Sequence, residues 1–239
     1  MRKLINKYTM EKKPFRDLIL AILAEKSSLK QDVYQRAFET FKQFKEMAEE
    51  IATDINKKII KIDPRVVIEF KDKGEFELEL MVAGDVLIFS MHTNVFDFDK
   101  SHNIWKTSYL KENPLRSYCG MINVYNFLAD SFKYNRNNDV GYLIARIFVN
   151  KELHYFVEGK RQLGFLYNDF VNSVIDKKQI TAVIESAILY TLDFDLLTPP
   201  YDSVKEVSIS EMQERSNNMQ IKTGKRLGFK FHVDDDSIG

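Results

Sequence analysis

A cluster of potential metal ligands lies between residues 92 and 102. Two histidines bracket two aspartates there, and an extended backbone would put both carboxylates on one face. The four residues are His92, Asp97, Asp99 and His102. Carboxylates and neutral imidazoles suit a divalent cation that activates water, so the cluster supports a metal-dependent hydrolase. Its spacing matches no established metal motif, and ordinary turn chemistry, which uses the same residue types, is the alternative.

A second set of polar residues falls on three predicted strands. Alternation puts aliphatic side chains on one phase of each strand and the polar set on the opposite phase. The set comprises Asn123, Tyr125, Tyr142, Arg146, His154 and Glu158. If the strands are adjacent, these side chains share one sheet face with apolar neighbours, which is the mixed lining that a small-molecule pocket needs. We therefore predict a ligand-binding face; a half-solvated face of cross-strand pairs is the alternative.

A basic, glycine-flanked connection follows the last of these strands. Lys160 and Arg161 lie between two glycines at the predicted start of a helix, where backbone amides favour an anion. An exposed basic loop of no special function is the alternative. A similar stretch near the end of the chain contains Lys225 and Arg226. Together the two stretches give a weaker hypothesis, contact with a nucleic acid.

Several common enzyme signatures are missing from the sequence. It contains no nucleophile elbow, phosphate-binding loop, dinucleotide fingerprint, zincin helix or paired Cys-x-x-Cys. Cys119 is the only cysteine, and no neighbouring base or helix start is identifiable that would activate its thiol. We therefore predict a buried structural thiol and no cofactor, and a function other than catalysis is favoured.

The elements that position these residues begin with a long helix. Apolar residues recur at spacings of three and four over about 30 residues, while charged residues occupy the other faces. The seam includes Tyr34, Phe41, Phe44, Ile51 and Ile55. Packing on the protein's own sheet would bury this seam; a homodimer through the same residues is the alternative.

After the helix the apolar period changes to two, which predicts strands. The predicted strands cover residues 66–70, 76–82, 86–91, 121–127, 140–149 and 153–157. Helical spacing returns at 163–175 and 180–188. We therefore predict an α+β fold, an antiparallel sheet of five to seven strands flanked by the long N-terminal helix and one or two C-terminal helices. Residues 1–200 form a single domain in this prediction, and 201–239, with a candidate strand at 228–233, form a polar arm or a partly disordered tail.

Composition limits the partners. The 35 basic residues cancel the 35 acidic ones, so the chain lacks the positive surplus that nucleic acids and membranes attract, and neither is the expected partner. No apolar run approaches the ~20 residues of a membrane-spanning helix. The chain has a single cysteine and no glycosylation sequon, which favours the cytoplasm. The element order is compatible with sensor-type ligand-binding domains. The function expected is therefore a non-catalytic module that binds a small ligand or a protein partner.

Overall fold

Six antiparallel strands form one sheet in the described part of the chain, in the order in which the chain visits them. The computed structural model describes residues 14–193 and 197–218, so Lys225, Arg226 and the candidate strand at 228–233 lie outside the described residues. The strands are β1 Ile68–Asp72, β2 Glu77–Val82, β3 Asp85–Met91, β4 Cys119–Leu128, β5 Tyr142–Asn150 and β6 Tyr155–Gly159. This meander, flanked by helices, confirms the predicted α+β class.

The N-terminal helical region is longer than its apolar seam. Helix α1 (Phe15–Ile22) runs through one π-helical turn (Leu23–Ser27) into α2 (Ser28–Ile59). The remaining helices are α3 Ser108–Glu112, α4 Ala129–Lys133, α5 Gln162–Leu166, α6 Lys177–Leu192, α7 Tyr201–Val204 and α8 Ile209–Asn218, with short 3₁₀ helices at Asn103–Lys106 and Pro114–Ser117. No helix among the described residues is both long enough and apolar enough to cross a bilayer.

One predicted helix is wrong. Residues 163–175 form only the five-residue α5 and then irregular chain. The reason is competition from β6, whose outer edge needs hydrogen-bond partners. The amide of Val157 donates to the carbonyl of Tyr167, and the amide of Tyr155 donates to that of Ser173. The segment therefore covers the edge of the sheet instead of coiling.

The main core lies between one face of the sheet and helices α2 and α6. Phe41 and Phe44 are fully buried there, Ile51 is buried, and Tyr34 and Ile55 pack at the margin of the same core. The chain's own sheet therefore covers most of the seam, and nothing in the structure supports the alternative of a homodimer through these residues.

A smaller aromatic cluster lies on the opposite face, over the end of the sheet formed by β4, β5 and β6. The chain between β3 and β4 folds across this face and contributes Ile104 and Tyr109, which pack with sheet residues Phe148 and Phe156. Cys119 is fully buried in the cluster, and burial raises the pKa of its thiol. The thiol is therefore a packing group rather than a nucleophile.

The outer strand β1 is protected by side chains of α2. The side-chain amide of Asn56 donates to the carbonyl of Ile68 (2.7 Å) and accepts from its amide (2.9 Å). Further along, the ammonium group of Lys45 contacts the carboxylate of Asp72 and donates to the carbonyl of Gly74. Side chains of one helix thus occupy backbone groups that would otherwise be open to another strand.

Candidate functional site

Three of the predicted ligand-binding residues lie in one row across the sheet. Asn123 of β4 pairs directly with Arg146 of β5, and Arg146 pairs with Glu158 of β6. Because directly opposed residues of antiparallel strands share a face, the three side chains lie on the face opposite α2. Tyr125, two residues after Asn123 on β4, lies on the same face but pairs with Ile88 of β3, away from Glu158.

Tyr142 does not join this row. The pairing of β4 with β5 slips between Val124 and Tyr125, so that Tyr142 is opposite Asn126, which shares the phase of the core residue Val124. A one-residue slip sends every side chain beyond it to the other face. The irregularity therefore separates Tyr142 from Arg146.

His154 lies on the Arg146 side of the sheet but belongs to a different group of side chains. It precedes β6, four residues before Glu158, which is about 13 Å along an extended strand. Its Nδ1 is 3.0 Å from the carbonyl oxygen of Phe170, and its ring stacks on Tyr109 with 4.4 Å between centroids. A carbonyl can only accept, so Nδ1 carries the proton of this hydrogen bond. His154 therefore does not contribute to the Arg146–Glu158 row.

Tyr109, which stacks on His154, belongs to a network of hydrogen-bonded polar side chains. The hydroxyl of Tyr109 donates to Glu152 Oε2 (2.8 Å) and accepts from Asn150 Nδ2 (2.9 Å). Arg116 Nε donates to the other oxygen of Glu152 (3.1 Å). Burial raises the pKa of Tyr109. Burial also favours a higher pKa for Glu152, but the hydrogen bonds from Tyr109 and Arg116 outweigh it, so the pKa of Glu152 is lowered.

His102, from the candidate metal cluster, joins the Arg146–Glu158 pair. Its Nδ1 accepts from the amide of Ile104 (3.3 Å), so its Nε2 carries a proton and donates to Glu158 Oε1 (3.2 Å). Arg146 Nη2 donates to the other oxygen, Glu158 Oε2. Glu158 thus accepts one hydrogen bond on each oxygen. His102 and Glu158 are 56 residues apart, so no local pattern connects them.

The other candidate metal ligands are engaged in hydrogen bonds within the chain. Each accepts hydrogen bonds from nearby backbone amides or hydroxyls, and for Asp99 these bonds, led by the one from the Ser101 hydroxyl, lower the pKa of the carboxyl. The donors include Asn94 for His92, Ser117 for Asp97 and Ser101 for Asp99. Within residues 14–193 and 197–218, no three His, Cys, Asp or Glu side chains are placed to hold a metal ion. The hydrolase hypothesis therefore has no ligand set in this region.

A cavity of about 660 Å³ opens beside the His102–Glu158 contact. The 3₁₀ helix Asn103–Lys106, strand β6 and the chain around α5 line it. Its apolar lining includes Ile104, Phe156, Phe165 and Phe170, and its polar lining includes His102, Glu158, Arg161 and Asn168. Phe165 is 77% exposed at the rim, although it is one of the largest apolar side chains.

The chain around α5 is shaped by a close backbone contact. A Cβ on Gly164 would lie 2.3 Å from the carbonyl oxygen of Gly159, so only glycine allows this approach. Between the two glycines, Arg161 adopts a positive φ of 47°, and its Nη1 donates to Asp193 Oδ2 (3.2 Å). The tight loop fixes where Phe165 stands at the cavity rim.

The predicted anion-binding residues lie in a short loop where several groups are engaged within the chain. Helix α5 has five residues, too few to give a substantial dipole. The amides of Lys160, Leu163 and Phe165 all donate to backbone carbonyls. Arg161 is paired with Asp193, and the Lys160 side chain is exposed. The alternative interpretation, an exposed basic loop, accounts for these residues.

Two polar groups of the cavity lining, His102 and Thr107, are held in hydrogen bonds within the chain. Both ring nitrogens of His102 are engaged, which leaves no free base on the imidazole. The hydroxyl of Thr107 donates to the carbonyl of Ile104 (2.7 Å) and accepts from the amide of Leu110 (3.4 Å). No histidine or carboxylate therefore activates this hydroxyl as a nucleophile.

Apolar side chains are also exposed on α1. None of its residues is buried, and Phe15, Ile19 and Leu20 are largely open to solvent. No part of the described chain packs over them, so the cavity is the better-defined candidate site.

No protein-family model, curated protein or solved structure matches this chain.

Proposed function

We propose that this chain is a non-catalytic module that binds a small organic molecule in the cavity beside β6. The observation that carries the proposal is the combination of an aromatic wall with a fixed polar group, Glu158 held by Arg146 and His102. A volume of about 660 Å³ falls within the range of roughly 300–1,000 Å³ that small-molecule pockets occupy.

Exposed Phe165 and the small exposed parts of Phe156 and Phe170 supply the apolar contact, and the polar group supplies orientation. Phe156 and Phe170 are buried in the aromatic cluster, where their rings lie 5.2 Å apart, so their positions are fixed before a ligand arrives. Glu158 is fixed in the same way by two hydrogen bonds. A preformed site loses little conformational entropy on binding, which favours affinity from a modest contact area.

The absence of a free base or nucleophile on His102 and Thr107 favours binding over catalysis. A His–Glu contact resembles the base–orienter pair of many hydrolases, but there the second ring nitrogen faces the substrate. Here the amide of Ile104 occupies that nitrogen. The same residues are therefore better suited to holding a ligand than to transferring its protons.

A fragment screen with two matched variants tests the proposal. Aromatic fragments should raise the melting temperature of the full chain, and Phe165→Ala should reduce that shift because it removes the rim of the cavity. Phe15→Ala is the control, since Phe15 is the same residue type, is 84% exposed and lies on α1. Neither variant should change the melting temperature without fragments, because both side chains are exposed. Equal fragment shifts in both variants, or no shift with any fragment, would overturn the proposed function.

A further inference from the structure

We propose that the ligand of this cavity is an uncharged aromatic molecule. The inference rests on the proposed function and specifies the class of ligand. It follows from how the charged side chains of the lining are paired, which is independent of the cavity's size and of its aromatic wall.

Two charged side chains line the cavity, Glu158 and Arg161. Each already has a countercharge within the chain. Arg146 donates to Glu158, and Asp193 accepts from Arg161 at 3.2 Å. The bond from His102 to Glu158 requires no charge on the imidazole, because Nδ1 accepts from a backbone amide. The lining therefore offers neither an unpaired carboxylate to a cation nor an unpaired guanidinium to an anion.

A charged ligand would thus lose hydration without gaining a partner. It would lie against Phe156, Phe165 and Phe170, which accept or donate no conventional hydrogen bond to an ion and attract a cation only through their ring faces. A charge that leaves water is disfavoured unless it gains a countercharge, and the charge of each lining group is already neutralised by its partner. An uncharged ring has no such cost and gains contact with aromatic edges and faces.

The same lining leaves room for one polar substituent on the ligand. A carboxylate has about four acceptor positions, and two hydrogen bonds to Glu158 leave others open. The side-chain amide of Asn168 also lines the cavity and can donate or accept. A neutral hydroxyl or N–H group on the ring therefore matches the polar side of the site.

Three indole probes with the same ring and different tails test the inference. Indole-3-ethanol is neutral, tryptamine is a cation and indole-3-propionate is an anion. Each would be titrated into the full chain at low salt and followed by two-dimensional amide NMR. We expect indole-3-ethanol to bind about threefold or more tightly than either charged probe, in line with the small free energies of exposed charges.

Removing one countercharge should switch the preference. Arg146→Gln leaves Glu158 without its guanidinium and should favour tryptamine, whereas Asp193→Asn frees Arg161 and should favour indole-3-propionate. Both ion pairs are partly exposed, so each switch should be about two- to fivefold and should fade as salt is added. Glu152→Gln is the control, because it breaks an ion pair with Arg116 that does not line the cavity.

The outcomes separate this inference from the proposed function. If tryptamine or indole-3-propionate binds the wild type most tightly, the ligand class is wrong while the binding site stands. If charged aromatic fragments bind while neither neutral fragments nor indole-3-ethanol does, the ligand class is again overturned alone. If Glu152→Gln shifts the preference as much as Arg146→Gln, the paired charges are not its cause. If neither fragments nor indoles bind, the proposed function fails with it.

Discussion

Replacing Asn56 with alanine should weaken the protein through its outer strand. The side chain spans from α2 to β1 and satisfies both backbone groups of Ile68, with hydrogen bonds of 2.7 and 2.9 Å. Each such bond contributes about 0.5–1.5 kcal/mol, so the two contribute about 1–3 kcal/mol. Alanine favours a helix over asparagine by up to about 0.7 kcal/mol, which offsets part of the loss. We expect a net decrease of about 1–2 kcal/mol in the free energy of unfolding.

Equilibrium urea denaturation followed by far-ultraviolet circular dichroism measures this change. Lys58→Ala is the control, because Lys58 is exposed on the same helix and its replacement should stay within about 0.5 kcal/mol of wild type. Asn56→Ala should also make the chain more prone to aggregate, since it opens the backbone of Ile68 to another strand. If Asn56→Ala is as stable as Lys58→Ala, the side-chain bridge does not support the edge strand.

Two further perturbations test the core and the polar network. Phe41→Ala should lower the free energy of unfolding by about 3–5 kcal/mol, because the ring is fully buried. Lys42→Ala, the control, should change it by less than about 0.5 kcal/mol. Equal effects of the two variants in urea denaturation would contradict the burial of the seam. The pKa of Glu152 is lower in the folded chain than its ordinary value of 4.5. The ionised carboxylate therefore contributes its full stabilisation of the fold above pH 4.5, and this stabilisation is lost as the pH falls through the lower pKa of the folded chain. The stability difference between wild type and Glu152→Gln should therefore be largest above about pH 5 and should shrink in acid, and a difference that grows in acid would refute the assignment.

The sequence predicts the sheet well because strand alternation is a local property. Most strands of the meander have a period-two pattern, and short turns join β1 to β2, β2 to β3 and β5 to β6. The slip between β4 and β5 is different, since Leu143, Ile144 and Ala145 are all apolar and give no sign of phase. The face of Tyr142 was therefore not predictable from alternation.

The helix prediction at 163–175 and the division of His102 and Glu158 between two predicted sites differ from the structure for a shared reason. Apolar spacing in 163–175 fits a helix, but the open edge of β6 uses the backbone of this segment instead. In the same way, His102 and Glu158 belonged to separate predicted sites, and only the path of the chain between β3 and β4 brings them together. Long-range pairing of this kind leaves no trace in residue spacing.

The most direct test of the central claim is a chemical-shift map of the full chain with indole-3-ethanol. The binding proposal requires the largest amide shifts at the 3₁₀ helix Asn103–Lys106, at β6 and around Phe165 and Asn168, which line the cavity. Shifts should saturate with one binding constant and weaken in Phe165→Ala. Shifts centred on α1, or spread evenly over the surface without saturation, would contradict the account.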